Sequence, residues 1–281
     1  MTDSPLDRAD ASRTVRIYRP VIRRVRLPDL WGTARIARII GTRDIRAKYK
    51  QAALGPLWLV IAPLGMLVAI VVAFSSVTHV GTGGVPYLLF ALTGLTVWTF
   101  IQLCATLAGQ AIVGNASLVR RSPIPRAALV TGALLGNLPP VAIMLSVTLV
   151  DAVATRGLPL QALLLPVLIC WLFGFTLFLA LLLAALAARF RDIVQLLPLV
   201  LQAGIFLTPV GYSLHGEPSH IRDILILNPV SGLIEAWRWS LLNISDPEWA
   251  AVAVAAGWTV VIGVLGWRAF TRLEVHFADF V

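Results

Sequence analysis

Charge is what this 281-residue sequence has least of: 13% of its residues are Asp, Glu, Lys or Arg, while 58% are hydrophobic. A water-soluble domain carries about a quarter charged residues. Lipid tails cannot solvate charge, and a charged side chain at mid-bilayer costs about 2.5–3.5 kcal/mol on insertion scales. The deficit excludes an ordinary soluble globule and predicts a chain solvated by lipid and by itself. Cysteine is scarce too: Cys104 and Cys170 stand alone in apolar runs, which excludes a disulfide framework and a thiolate zinc site. The four histidines (His79, His215, His220, His276) fall outside the long apolar runs, and His215 and His220 lack a third ligand, so no metal site is expected. No G-x-x-x-x-G-K-[ST] loop occurs, nor a Ser/His/Asp arrangement, so the chain is expected to hold no catalytic residue and no cofactor of its own.

Crossing the hydrocarbon core as a helix takes about 20 apolar residues. Six runs qualify: residues 55–77, 87–113, 127–150, 160–188, 193–212 and 249–267. The fold class that follows is all-α and polytopic, with six transmembrane helices. With the N-terminus in the cytoplasm, the segments 1–54, 114–126, 189–192 and 268–281 hold thirteen, three, two and two Lys or Arg. Only Arg156, Arg222 and Arg238 fall outside. This bias is the positive-inside signal, and the even span count returns the C-terminus to the cytoplasm. The formal charge of +9 is thus an orientation signal, and no nucleic-acid partner is needed to explain it. A basic stretch of about 50 residues precedes the first run, too long and too charged for a signal-peptide n-region. The spans hold neutral polar groups such as Gln102, Gln110, Asn137, Gln195 and Gln202, and lack the mid-membrane Asp, Glu or His of ion-coupled carriers. Driving energy must come from elsewhere, unless conduction is passive.

Three segments are not plain spans. After a basic, flexible tail over 1–28, residues 29–54 read as an amphipathic helix in the headgroup plane, with Asp29 at its N-cap. Arg35, Arg43, Arg46 and Lys50 fall on one side, and Leu30, Trp31, Ala34, Ala37, Ile40 and Ile45 on the other. A topogenic flank with no further task fits the same residues. The loop 114–126, GNASLVRRSPIPR, is broken by Pro123 and Pro125. Asn115 is placed to cap a short helix bearing Leu118, Val119, Arg120 and Arg121, which reads as a docking knob or as a basic loop obeying topology. Between spans five and six, the short apolar pieces 221–227 and 233–242 flank the turn signal Asn228-Pro229-Val230-Ser231-Gly232. Neither piece can span, so both are expected to dip back into the outer leaflet, as a gate or as a structural lid. Glu235 and Arg238 are spaced i,i+3 to pair.

The same segments carry a resemblance. RDIRAKYKQAALGPLW (residues 43–58), GNASLVRRSPIPR, ARFRDI (188–193) and LNPVSGLIEAWRWSLL (227–242) resemble, in this order, the signatures of the polysaccharide-export branch of type-2 ABC transporter permeases. These are the membrane subunits of O-antigen, capsule, teichoic-acid and galactan exporters. The matching positions include Arg43, Asp44, Tyr49, Leu54, Gly55, Trp58, Asn115, Leu118, Pro125 and Arg126. Ala52, Ala53 and Ile124 depart from the pattern, which usually has Ser or Thr at one of the first two and an aromatic at the third.

The resemblance implies a homodimer of a six-helix permease domain (55–281) in the bacterial inner membrane, working with two copies of a separate ATPase that binds ATP and Mg. It implies that the amphipathic helix and the loop contact this ATPase, through Arg35, Arg38, Asn115, Leu118, Arg120, Arg121, Pro125 and Arg126. The phosphate end of a lipid-linked polysaccharide, or anionic headgroups of membrane lipids, would meet Arg43, Arg46, Lys48, Tyr49, Leu54 and Gly55. Channel and gate residues would come from Trp98, Phe178, Phe206, Asn228, Pro229, Glu235, Trp237, Arg238 and Trp239, in a larger aromatic pool with Phe100, Phe173 and Phe175. A permease for drugs or small lipids is the nearest alternative; a membrane-embedded glycan-processing enzyme is a more distant one.

Overall fold

The computed structural model describes residues 30–50, 54–75, 82–122, 124–216, 218–244 and 246–277. The tail 1–28 and Asp29 lie outside the described residues, as do His79 and Pro123 and the side chains of Leu30, Trp31, Lys48 and Tyr49. The described residues form α-helices joined by turns and 3₁₀ segments, with no strand among them. In order they are α1 (Leu30–Lys50), α2 (Trp58–Ser75), α3 (Tyr87–Ala111), α4 (Ala116–Arg121), α5 (Arg126–Gly136), α6 (Leu138–Arg156), α7 (Leu165–Arg189), α8 (Asp192–Gly204), α9 (Ser219–Ile226), α10 (Pro229–Leu242) and α11 (Trp249–Leu273). Four stretches are long and apolar enough to cross a membrane: Tyr87–Ala111, Ala127–Thr155, Leu160–Arg189 and Trp249–His276. Two shorter apolar helices, Ile61–Val72 and Asp192–Gly204, accompany them. The chain is a multi-pass, all-α membrane protein.

The hub is α3, which packs against α2, α5, α6, α7, α8 and α10. It has no ionisable side chain apart from Tyr87 and Cys104, and two of its threonines are buried and bond back to the helix: Thr93 Oγ1 donates to the carbonyl of Phe90 at 2.7 Å and Thr96 Oγ1 to that of Leu92 at 2.8 Å. A helix apolar all round is stable only when surrounded, and α3 is the helix the others enclose.

Two runs fold differently from the sequence expectation. The third run, 127–150, is broken at Asn137 into α5 and α6. Pro139 and Pro140 sit in the first turn of α6, where their missing N–H groups leave no helical bond unmade. Asn137 Nδ2 instead donates to the carbonyl of Ala133 at 2.7 Å. The fifth run, expected as one helix over 193–212, is helical only over the 13 residues of α8 and continues as turns. Such a helix rises about 20 Å, against a hydrocarbon core of about 30 Å. Tertiary bonds to the following carbonyls, described below, explain why it stops.

α1 does not stand alone either. It buries Thr33, Ala37, Ile40 and Gly41, an i, i+4, i+7, i+8 stripe, against α5. Gly41 meets Gly132 and Gly136 of α5 so closely that a Cβ at Gly41 would lie 2.9 Å from the Gly132 carbonyl oxygen. Small residues four apart on each helix (Ala37 and Gly41; Gly132 and Gly136) let the two backbones touch.

Candidate functional site

At the α4 end of α3, the two basic segments meet. Arg43 of α1 pairs with Asp44 at 2.9 Å, and its Nη2 reaches Asn115 Oδ1, 72 residues away, at 3.5 Å. Asn115 stands before α4, yet its side chain makes no capping bond; Nδ2 donates back to the Ala111 carbonyl at 2.9 Å. The expected cap is therefore an anchor to the end of α3. In α4 the apolar side turns inward, with Val119 buried and Leu118 half-buried, while Arg120 and Arg121 project from the last turn. Arg126 differs from its neighbours. It is only 4% exposed, and its Nη2 lies 3.5 Å from the Val119 carbonyl. With buried Pro125 at the N-cap of α5, it ties α4 to α5 from inside. On α1, Arg35, Arg38 and Arg46 are exposed. Leu54 is exposed and its carbonyl accepts from Leu57 N at 3.0 Å; the turn is closed by Gly55 at φ +48°, left-handed backbone that favours glycine.

Between α2, α3, α6 and α8 runs a groove of about 500 Å³. Its lining includes Trp58 of α2, Thr99, Gln102 and Thr106 of α3, and Pro198 and Gln202 of α8. No lining residue is ionisable at neutral pH. Most of the wall is apolar (Ala62, Met66, Leu103, Leu107, Pro140), and into it are set four amide or hydroxyl groups that lipid solvates poorly, Gln202 exposed and the other three half-buried. A smaller cavity continues from it along Met66, Ile70 and Phe206, and Phe206 is 63% exposed.

The other aromatic positions expected along a path are placed differently. Trp98 is 4% exposed and packs where α8 ends at Gly204. Phe178 lies half-buried against Gly263 and Gly266 of α11. Trp237 is buried, and Trp239 stacks edge-on against Trp249 at 5.6 Å. Gln102 and Gln202 carry a legible signal, as amides inside apolar runs, but nothing in their spacing joins them to one site.

At the far end of α3, the turn 205–212 is held by side chains. Asn228 Nδ2 donates to the Leu207 carbonyl at 2.9 Å and to Thr208 Oγ1 at 3.0 Å, while its Oδ1 accepts from Val230 N at 3.0 Å and caps α10, with Pro229 in the first turn. Arg238 Nη2 donates to Val210 O at 2.7 Å and Nη1 to Tyr212 O at 3.2 Å. Its guanidinium carbon lies 3.6 Å from the centre of the Phe90 ring. Tyr87, which no sequence signal selects, donates its hydroxyl to Gly211 O at 2.7 Å. Non-helical backbone within an apolar bundle needs such partners, because lipid offers none. Glu235 stands 3.8 Å from Arg238, and both are buried. α10 itself is almost wholly enclosed, and Arg222 of α9 pairs with Glu248 at the head of α11.

The sequence that builds this hub helix, the glycine-bolted amphipathic helix, the basic knob and the short buried helix matches a known family. Its sequence pattern, that of the ABC-2 type transporters, matches residues 37–242, from the middle of α1 to the end of α10. The chain belongs to the ABC-2 type transporter family. Among relatives of this ABC-2 chain, the O-antigen export system permease protein RfbA of Klebsiella pneumoniae is 23% identical over 264 residues, covering 86% of this chain and 93% of the relative. RfbA of Myxococcus xanthus is 27% identical over 245 residues, covering 85% and 91%. The polysialic acid transport protein KpsM of Escherichia coli is 23% identical over 235 residues, covering 83% and 91%. ABC-2 membership makes the chain a transport membrane subunit.

Proposed function

We propose that this chain is the transmembrane subunit of an ATP-driven exporter that moves lipid-linked polysaccharide from the cytoplasm across the bacterial inner membrane. It acts as a homodimer with two copies of a separate ATPase, which carry ATP and Mg, and both of its termini are cytoplasmic. The observation that carries the reading is the uncharged, largely apolar groove between α2, α3, α6 and α8 with the amides and hydroxyls of Thr99, Gln102, Thr106 and Gln202 set into its wall. A polymer must slide, so its path needs weak, exchangeable contacts. Amides and hydroxyls trade hydrogen bonds with sugar hydroxyls, and the Trp58 ring covers apolar CH faces. The relatives' names and the clustering of arginine at the α4 end support the same reading.

The packing suggests how force reaches the groove. The ATPase docks on Arg120 and Arg121 of α4 and on Arg35 and Arg38 of α1, and the lipid phosphate meets Arg43 and Arg46 beside the Leu54–Gly55 turn. α1 rides on α5 through Gly41, Gly132 and Gly136, and Arg126 fastens α4 to the same helix. A push on the knob thus moves α1, α4 and α5 together. The break at Asn137 is the natural hinge between α5 and α6. Asn228, Arg238 and Tyr87 hold the outer turn while the groove widens.

A photo-crosslinking residue at Gln202 tests the path. During ATP-driven turnover it is expected to capture lipid-linked glycan, whereas the same probe at Val260, 66% exposed on α11, captures lipid alone. Equal glycan capture at both positions refutes the assignment of the groove.

A further inference from the structure

A second cavity, of about 330 Å³, lies at the far end of α3 from α4 and belongs to neither the groove nor the coupling surface. Its walls include Phe90, Ser213, His215, Glu235, Arg238 and Trp239. We propose that this cavity binds one neutral pyranose unit of a glycan.

Three features of its wall select that chemistry. Glu235 is 6% exposed, and its one ion-pair contact among the described residues is Arg238 at 3.8 Å, beyond hydrogen-bond range. A buried carboxylate is acceptor-only and is costly without donors; sugar hydroxyls are donors of the right size and polarity. Arg238 is committed elsewhere. Its Nη atoms are bound to Val210, Tyr212 and Phe90 carbonyls, so no fork remains for a phosphate or a sugar carboxylate. Two N–H donors remain, the buried and unpartnered Nε–H and one on Nη1, and they do not share a fork. Trp239 adds an aromatic surface held in place by Trp249, a platform for the CH face of a pyranose. Opposed charges on Glu235 and Arg238 give the wall no net attraction for an anion. The volume falls in the range of about 300–1,000 Å³ usual for small-ligand sites.

The site stands on its own geometry. That its occupant is the leading end of the exported chain, held at the exit against back-sliding, rests on the export reading above.

The test uses the full chain in nanodiscs without ATPase or ATP, so that it is independent of transport. Saturation-transfer NMR is read with trisaccharides of glucose, galactose, mannose and rhamnose, and with glucuronate and N-acetylneuraminate as anionic probes. At least one neutral trisaccharide is expected to bind in the millimolar range, with the two acids at least tenfold weaker. Glu235→Gln is expected to weaken neutral binding at least tenfold. Ser213→Trp, placed in coil at the cavity wall, is expected to abolish it while leaving Glu235 and Arg238 intact, so a folding failure of the first variant does not shield the idea. Absence of binding by every neutral probe, tighter binding of the acids, or binding undiminished in Ser213→Trp overturns the proposal. If export fails while this binding persists, the transport reading falls and the site stands; loss of binding with export intact gives the reverse.

Discussion

The two ends of α3 use arginine in opposite ways. At the α4 end, Arg120 and Arg121 project into the surroundings, and Arg43 makes an ion pair whose partners are 54% and 44% exposed. At the α10 end, Arg238 is 4% exposed and spends its Nη groups on carbonyls of a turn that no helix satisfies. An exposed ion pair adds about 0–1 kcal/mol to stability, so arginines of the first kind are free to serve a partner. A buried cation that loses its setting leaves other groups unpaired, at a cost of about 3–5 kcal/mol. Location, more than residue type, separates an arginine that recognises from one that builds.

The contrast breaks most visibly at Arg238. Arg238→Ala strands the Val210 and Tyr212 carbonyls and Glu235, and is expected to destabilise the protein by about 3–5 kcal/mol, read as a large drop in Tm in detergent. A Tm within two degrees or so of the parent would place Arg238 with the exposed kind. Next comes the bolt between α1 and α5. A Cβ at Gly132 would lie 3.0 Å from Ile40 and 3.1 Å from the Ala37 carbonyl oxygen. Gly132→Val is therefore expected to cost about 1–3 kcal/mol and to lower the efficiency of a disulfide between Ala37→Cys and Ala133→Cys. Unchanged cross-linking would show that α1 is held by something else.

Much of this was legible beforehand, for identifiable reasons. The short helices expected at 221–227 and 233–242 appear as Ser219–Ile226 and Pro229–Leu242, because Asn228-Pro229 is both a turn signal and a helix start. The pairing of Glu235 with Arg238 followed from helical spacing. The commitments that define Arg238 did not, since its carbonyl partners lie 26, 28 and 148 residues away and leave no periodic mark. The same gap explains α8: its run stays apolar past Gly204, and the distant Asn228, Arg238 and Tyr87 show why helix gives way to turn. Aromatic lining was equally hidden. In helices apolar on every side, composition does not say whether Trp98 or Phe206 faces inward; the fold buries the first and exposes the second.

Smaller effects sharpen the comparison further. Asn228→Ala removes a helix cap together with two bonds to the 205–208 turn, for an expected loss of about 1–2 kcal/mol; a loss below a few tenths would mean that α10 holds the turn without it. The smallest change in stability is expected from Arg120→Ala with Arg121→Ala, within about 0.5 kcal/mol. That pair should nevertheless abolish stimulation of the partner ATPase. A stable double variant that still stimulates the ATPase fully would remove α4 from the coupling surface.

The central claim is that this bundle performs work only by borrowing it. The decisive measurement follows labelled lipid-linked glycan across vesicles holding this chain, with and without its ATPase and with ATP or a non-hydrolysable analogue. The account predicts translocation only when both subunits and hydrolysable ATP are present. Uphill movement by the isolated chain, or movement indifferent to ATP in the full complex, would contradict it.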